Sequence, residues 1–146
     1  MRHGDISNQK SFVIGFRCEG TLFNVREDKF TDKILNTVFG KLKHADVDEK
    51  VLSFMRHIYN NTEYTVSLVI DKNNYSKDLE DFLADFPCNV ICNCSVGQLT
   101  SMLMTGELSY LIDNDTMNRS QVNSRYCMSM EEFSVLLRKG LKPRNL

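Results

Sequence analysis

The stretch Phe12-Val-Ile-Gly-Phe-Arg-Cys-Glu-Gly-Thr-Leu-Phe23 decides how this chain folds. Its apolar run from Val13 to Phe16 reads as a buried strand, because a short continuous apolar run bounded by turn residues is what such strands look like. A polar, glycine-containing turn follows at once. In open α/β sheets ligands bind just beyond the carboxyl ends of the strands. Arg17, Glu19 and Thr21 therefore stand where chemistry would be.

Outward from this strand the pattern alternates. Leu22 to Val25 reads as one arm of a short hairpin. Phe30, Ile34, Val38 and Leu42 then recur every four residues, the stripe of an amphipathic helix. A second helix is expected after Asp46, where Asp46-x-x-Glu49 has the spacing of a capping box, and Asn60-Asn61 ends it. Tyr64 to Ile70 is a strand closed by the turn Asp71-Lys72-Asn-Asn74. Ser76 opens a third helix with Leu79, Phe82, Leu83 and Phe86, stopped by Pro87. Cys88 to Cys94 reads as a third strand. Ser95-x-x-Gln98 caps a helix that ends near Gly106, and Leu108 to Ile112 is a fourth strand, ending in Asp113-Asn-Asp115. A partly helical polar segment runs to Arg125, and Tyr126 to Met128 is a short edge strand. Ser129-x-x-Glu132 caps a last helix closed by Gly140. Strands alternating with helices, and apolar on both sides, argue for a mostly parallel sheet covered on both faces. The expected fold is α/β: a single three-layer Rossmann-like domain over residues 1–146, with a sheet of about five strands. Residues 1–10 form a flexible start and 141–146 a tail.

Composition narrows the partners. The net charge of −1 over 146 residues gives no electrostatic case for nucleic acid or an anionic membrane. The basic residues Arg138, Lys139, Lys142 and Arg144 suit a helix carboxyl terminus. No stretch approaches the roughly 18 apolar residues of a membrane span, and the polar start is not a signal peptide. Five cysteines, an odd number, then read as reduced thiols of a cytoplasmic protein. Cys88, Cys92 and Cys94 share parity and would face one side of a strand. Their spacing does not surround a tetrahedral ion, so they are expected as small buried hydrophobes. Cys18 is the better reactive thiol, because the neighbouring Arg17 lowers a thiol pKa.

Three strand ends converge in such a fold: Arg17-Cys-Glu19-Gly-Thr21, Asp71-Lys72 and Asp113-Asn-Asp115. Carboxylates at one sheet edge suit Mg²⁺, which takes hard oxygen ligands; the same residue types are also what turns and helix caps prefer. Phe16-Arg-Cys-Glu-Gly-Thr-Leu-Phe23 resembles the first motif of the haloacid dehalogenase-like phosphohydrolases, roughly hhhhDxDGTL. Val66-Ser-Leu-Val-Ile-Asp-Lys72 is similar to their second motif, and Tyr110-Leu-Ile-Asp-Asn-Asp115 to their acidic fourth. The order and spacing agree from about residue 12 to about residue 139.

That resemblance implies an aspartate nucleophile that takes the phosphoryl group, a second aspartate as general acid/base, and a lysine with the acidic motif holding phosphate and Mg²⁺. Here the nucleophile position is Arg17, which is always protonated and cannot attack phosphorus. The acid/base position is Glu19, and Thr21 is retained. The second-motif hydroxyl falls on Ile70, and residues 88–112 contain no Lys or Arg. Asp113 and Asp115 keep the acidic character and are the possible Mg²⁺ ligands, although no cofactor is the simpler expectation. Two roles fit Arg17. It can anchor a phosphate-bearing ligand bidentately, with Thr21 and Lys72 beside it, or pair with Asp113 or Asp115 in an internal salt bridge. The pairing is favoured because it neutralises the carboxylates without any ligand.

What the resemblance implies for function is a pseudoenzyme that binds a protein partner or an anionic ligand. Two alternatives stand beside it. One is a divergent Mg²⁺-dependent phosphatase or nucleotidase using Glu19 or Asp71. The other is a small regulator or inhibitor of a host protein, of viral type. The helices between residues 30 and 60 occupy the place of the family's cap, at most a minimal one.

Overall fold

The computed structural model describes residues 12–25, 45–70, 77–92 and 94–141. The stripe expected over Phe30 to Leu42, with whatever cap it forms, lies outside them. So do Asp71, Lys72, Ser76, the first ten residues and most of the tail.

β1 (Val13–Arg17) lies at the centre of a five-stranded sheet. Its neighbours are β4 (Thr65–Val69) and β6 (Tyr110–Ile112). β5 (Asn89–Ile91) pairs with the outer side of β4, and β7 (Cys127–Met128) with that of β6. All four pairings are parallel, which requires a crossover between each pair of strands. Helices supply the crossovers: α1 (Glu49–Asn61), α2 (Lys77–Asp85), α3 (Val96–Thr105) and α4 (Thr116–Val122), with α5 (Met130–Lys139) after the last strand. The expected three-layer Rossmann-like α/β fold is the observed one. Among the described residues no helix is long and apolar enough to cross a membrane.

Alternation along β1 creates two cores. Ile14 and Phe16 face a larger one completed by Val51, Met55 and Ile58 of α1, Leu79 and Phe82 of α2, and Phe133 of α5. Edge-to-face rings extend through it, including Phe16 against Phe54 and Phe54 against Phe133. The opposite face carries Leu99 and Leu103 of α3 and Val122 of α4, with Leu108 and Leu111. Gly15 points there. A Cβ on it would stand 3.0 Å from Leu108 Cδ2 and 3.2 Å from Val69 Cγ2, so the absent side chain is what lets α3's connection pack so close.

Both serine capping boxes form as their spacing predicts. Ser95 accepts from the Gln98 amide and Ser129 from the Glu132 amide, and each partner side chain reaches back to the cap. Gly106, at φ 88°, closes α3 in the left-handed region that glycine favours.

Three expectations are corrected. Asp46 does not cap α1. It lies in β3 (Ala45–Val47), antiparallel to β2 (Phe23–Val25), and Asp48 caps the helix by accepting from the Lys50 and Val51 amides. The Leu22 to Val25 arm thus pairs with a strand some twenty residues on rather than within a tight hairpin. The strand expected over Cys88 to Cys94 is only Asn89–Ile91, so parity no longer relates its cysteines: Cys88 and Cys92 pack on the larger core and Cys94 on the other face.

Candidate functional site

The carboxyl edge of the sheet is built by the register. Phe16 is level with Ile112 on the adjacent parallel strand, so the next residues, Arg17 and Asp113, leave the sheet side by side. Both are buried, with side chains 5% and 0% exposed, and Arg17 Nη1 donates to Asp113 Oδ2 at 3.4 Å. Of the two carboxylates that could have met Arg17, Asp113 is the one placed against it. The contact is single and long for a charge-assisted hydrogen bond. Arg17 Nε is buried with no acceptor.

The other carboxylate oxygen is shared. Asp113 Oδ1 accepts from the Thr21 hydroxyl at 3.1 Å and from the Asp115 amide at 3.0 Å. The Thr21 oxygen in turn accepts from the Asn114 amide at 2.9 Å. Burial pushes the Asp113 carboxyl above the usual range; the Asp115 amide, Arg17 and Thr21 pull it back only in part. Desolvation outweighs the guanidinium because the pair makes one extended contact.

The turn after β1 is fixed by its own backbone. Cys18 donates to the Val69 carbonyl, Leu22 to that of Arg17 and Phe23 to that of Cys18. Gly20, at φ 84°, supplies the left-handed residue that the turn requires, with Asp115 Oδ2 3.6 Å from the position of a Cβ. Asp115 is engaged elsewhere: its Oδ1 accepts from the Met117 and Asn118 amides as the N-cap of α4. Glu19 is half-buried in the same turn and bridges to Phe23.

Cys18 is a correction. Its side chain is fully buried, and desolvation, reinforced by Glu19, raises its thiol pKa well above the ordinary value; Arg17 offsets only part of this. A neighbouring cation lowers a thiol pKa only where burial does not dominate. Ile70, at the position of the second-motif hydroxyl, is also fully buried and belongs to the larger core.

Two residues that the motif comparison passed over complete the edge. Arg119 Nη1 donates to the Asp113 carbonyl at 2.7 Å, and Asn114 Oδ1 accepts from the Met130 amide at the start of α5. Arg119 lies six residues beyond Asp113, on a helix whose cap is Asp115, which is the signal that could have pointed to it. A cleft of about 400 Å³ beside the network is lined by Asn114, Arg119, Ser129, Met130 and Glu131. Arg17, Thr21 and Asp113 do not line it.

Mg²⁺, the ion that the motif resemblance implies, fits these residues poorly. Asp113 has both oxygens engaged, Asp115 caps a helix, and a fixed cation stands opposite. Among the described residues no group of three His, Cys, Asp or Glu side chains is arranged to hold a metal. What fold and edge define together is a Rossmann-like domain whose strand ends are joined by a buried polar network that leaves Arg17 Nε without an acceptor. No protein-family model, no curated protein and no solved structure matches the chain.

Proposed function

We propose that this chain is a pseudoenzyme on a haloacid dehalogenase-like scaffold, acting as a binding or regulatory protein rather than a phosphohydrolase. One observation carries the reading: the buried pair of Arg17 and Asp113 at the sheet edge. Where the resemblance calls for a nucleophilic carboxylate, the chain has a guanidinium that cannot lose its proton. Where it calls for metal ligands, Asp113 is neutralised internally by Arg17 and hydrogen-bonded by Thr21. Loss of the nucleophile from a covalent mechanism costs many orders of magnitude in rate. The burial of Arg17 also weighs against an anion anchor, since an incoming phosphate would have to displace Asp113. A protein partner is the ligand class that remains.

The test is hydrolysis of p-nitrophenyl phosphate and a nucleotide panel with Mg²⁺, read beside the melting temperature with and without Mg²⁺. The expected result is no turnover and no stabilisation of the wild-type chain by Mg²⁺. In Arg17→Asp a carboxylate returns opposite Asp113, and Mg²⁺ is then expected to raise the melting temperature. Wild-type turnover that disappears in Glu19→Gln or Asp113→Asn would overturn the proposal in favour of a divergent phosphatase.

A further inference from the structure

The helices on the two faces of the sheet present opposite surfaces to solvent. The exposed positions of α1, α2 and α5 are charged in the usual mixture, including Glu49, Lys50, Arg56, Asp81, Glu131 and Lys139. Every exposed position within α3 and α4 is uncharged. Soluble surfaces normally carry roughly 25–35% charged residues, and 25% of this chain is charged, so two adjacent helices without one exposed charge form a distinct patch. Each helix also displays one methionine, Met104 in the last turn of α3 and Met117 in the first turn of α4, 73% and 71% exposed. The one charged residue within these helices, Arg119, is half-buried and donates inward to the Asp113 carbonyl. The two helices lie side by side, joined where the Thr100 hydroxyl donates to the Val122 carbonyl at 3.4 Å.

We propose that the α3/α4 face is a self-association surface, on which a second copy of this chain docks about a two-fold axis. The inference is independent of the reading of Arg17 and would survive its failure. Interface centres are depleted of charge and enriched in methionine, and flexible thioethers fill irregular gaps. The choice of occupant follows from charge. In a two-fold contact the same patch meets itself, so a charge near the axis faces its own copy; a patch without charges avoids that repulsion. A different partner would ordinarily be oriented by complementary charges, and among the described residues this face offers only Glu107, at its rim beside Thr105. α3, of 10 residues, is about 15 Å long and α4, of 7, about 10 Å; set about 10 Å apart they present roughly 500 Å² of textured surface. That is below the roughly 800 Å² per partner of a standard interface, which makes the dimer weak and dependent on concentration.

The experiment is sedimentation velocity on the full chain from about 10 μM to about 1 mM, a range that brackets weak association. The wild-type chain is expected to move from monomer to dimer across it. Ser101→Lys and Ser101→Glu, at an exposed position of α3, are each expected to stay monomeric, and an equimolar mixture of the two to regain the dimer. Val135→Lys, exposed on α5, should associate like wild type. Circular dichroism identical to wild type confirms that each variant is folded. A wild-type chain that stays monomeric throughout overturns the proposal. So does a Ser101 variant that still dimerises, or a mixture that stays monomeric.

Discussion

Replacing Asp113 by Asn removes the anion opposite Arg17 while keeping an oxygen for the Thr21 hydroxyl and the Asp115 amide. The shape is nearly unchanged, so the cost is almost purely electrostatic. Arg17 is 4% exposed and cannot shed its proton. Breaking a buried pair by deleting one partner costs about 3–5 kcal/mol, because it leaves a buried charge uncompensated. At about 2–4 °C per kcal/mol for a chain of this size, the melting temperature should fall by about 10 °C.

The reciprocal change behaves differently. Arg17→Met leaves Asp113 with two hydrogen bonds and the freedom to take up a proton, so its cost depends on pH. The Asp113 carboxyl is already held above the usual carboxylate range, and losing Arg17 raises it further. Between the ordinary value and the raised one, the folded chain keeps a proton that the unfolded chain has lost, so stability falls as pH rises through that window. Arg17→Met should therefore be mild in acid and worse at neutral pH, whereas Asp113→Asn is costly throughout. The double variant has neither charge and is expected within about 1 kcal/mol of wild type, as removal of whole buried pairs often is. Urea unfolding of all four chains at pH 5 and pH 8 closes the cycle. Asp113→Asn within about 0.5 kcal/mol of wild type, or a double variant no more stable than Asp113→Asn, would refute an uncompensated buried charge as the cause.

Ser95→Ala and Ser129→Ala should each cost about 1 kcal/mol and add in the double variant, since the two capping boxes sit on separate helices. Hydrogen bonds from Ser129 hold the Glu132 carboxyl below its ordinary value, so its stabilisation is present at neutral pH and fades as pH falls through that lowered value. Glu132→Gln should flatten that part of a pH–melting curve. Gly20→Ala, forced to φ 84°, should lower stability by about 1–2 kcal/mol in denaturant titration, and Gly20→Asn by less. Gly15→Val should cost about 1–3 kcal/mol through its clash with Leu108 and Val69. In timed iodoacetamide labelling read by mass spectrometry, Cys18 should react only on unfolding, after the half-buried Cys88 and Cys92.

Much of this was legible because it is local. Ser95 with Gln98 and Ser129 with Glu132 encode two reciprocal hydrogen bonds in a spacing of three, and both boxes form. Asp46 and Glu49 have the same spacing and do not. Residues 45–47 pair instead with residues 23–25, a contact that no window of ten residues contains. Cys88 to Cys94 reads as seven residues of strand but supplies three. β5 is an edge strand held by β4 alone, and beyond it the Cys94 amide turns in to the Ile70 carbonyl. Cys18 shows Arg17 beside it in sequence, whereas its burial is a property of the whole fold. That Arg17 pairs with Asp113 or Asp115 could be read early; the choice of Asp113 comes from the register, which brings the residues after Phe16 and Ile112 level.

That register also bears on where recognition takes place. At the end of two neighbouring central strands, one buried charge cannot stand alone, and Asp113 must either take up a proton or face a cation. A metal ion would make the edge depend on concentration and leave coordination positions open to a ligand. Arg17 is covalently fixed, always charged and present in stoichiometric amount, so the edge is neutralised whether or not anything binds. Its polar groups face one another, and the neighbouring cleft is lined by other residues. A site closed in this way stabilises the fold but has little left with which to discriminate a ligand. On the proposed reading of the chain as a binding protein, recognition falls to the outer surfaces of the helices. Among the described helices, the uncharged face of α3 and α4 is the one whose composition departs from an ordinary solvated surface, which makes it the first place to alter when looking for contacts.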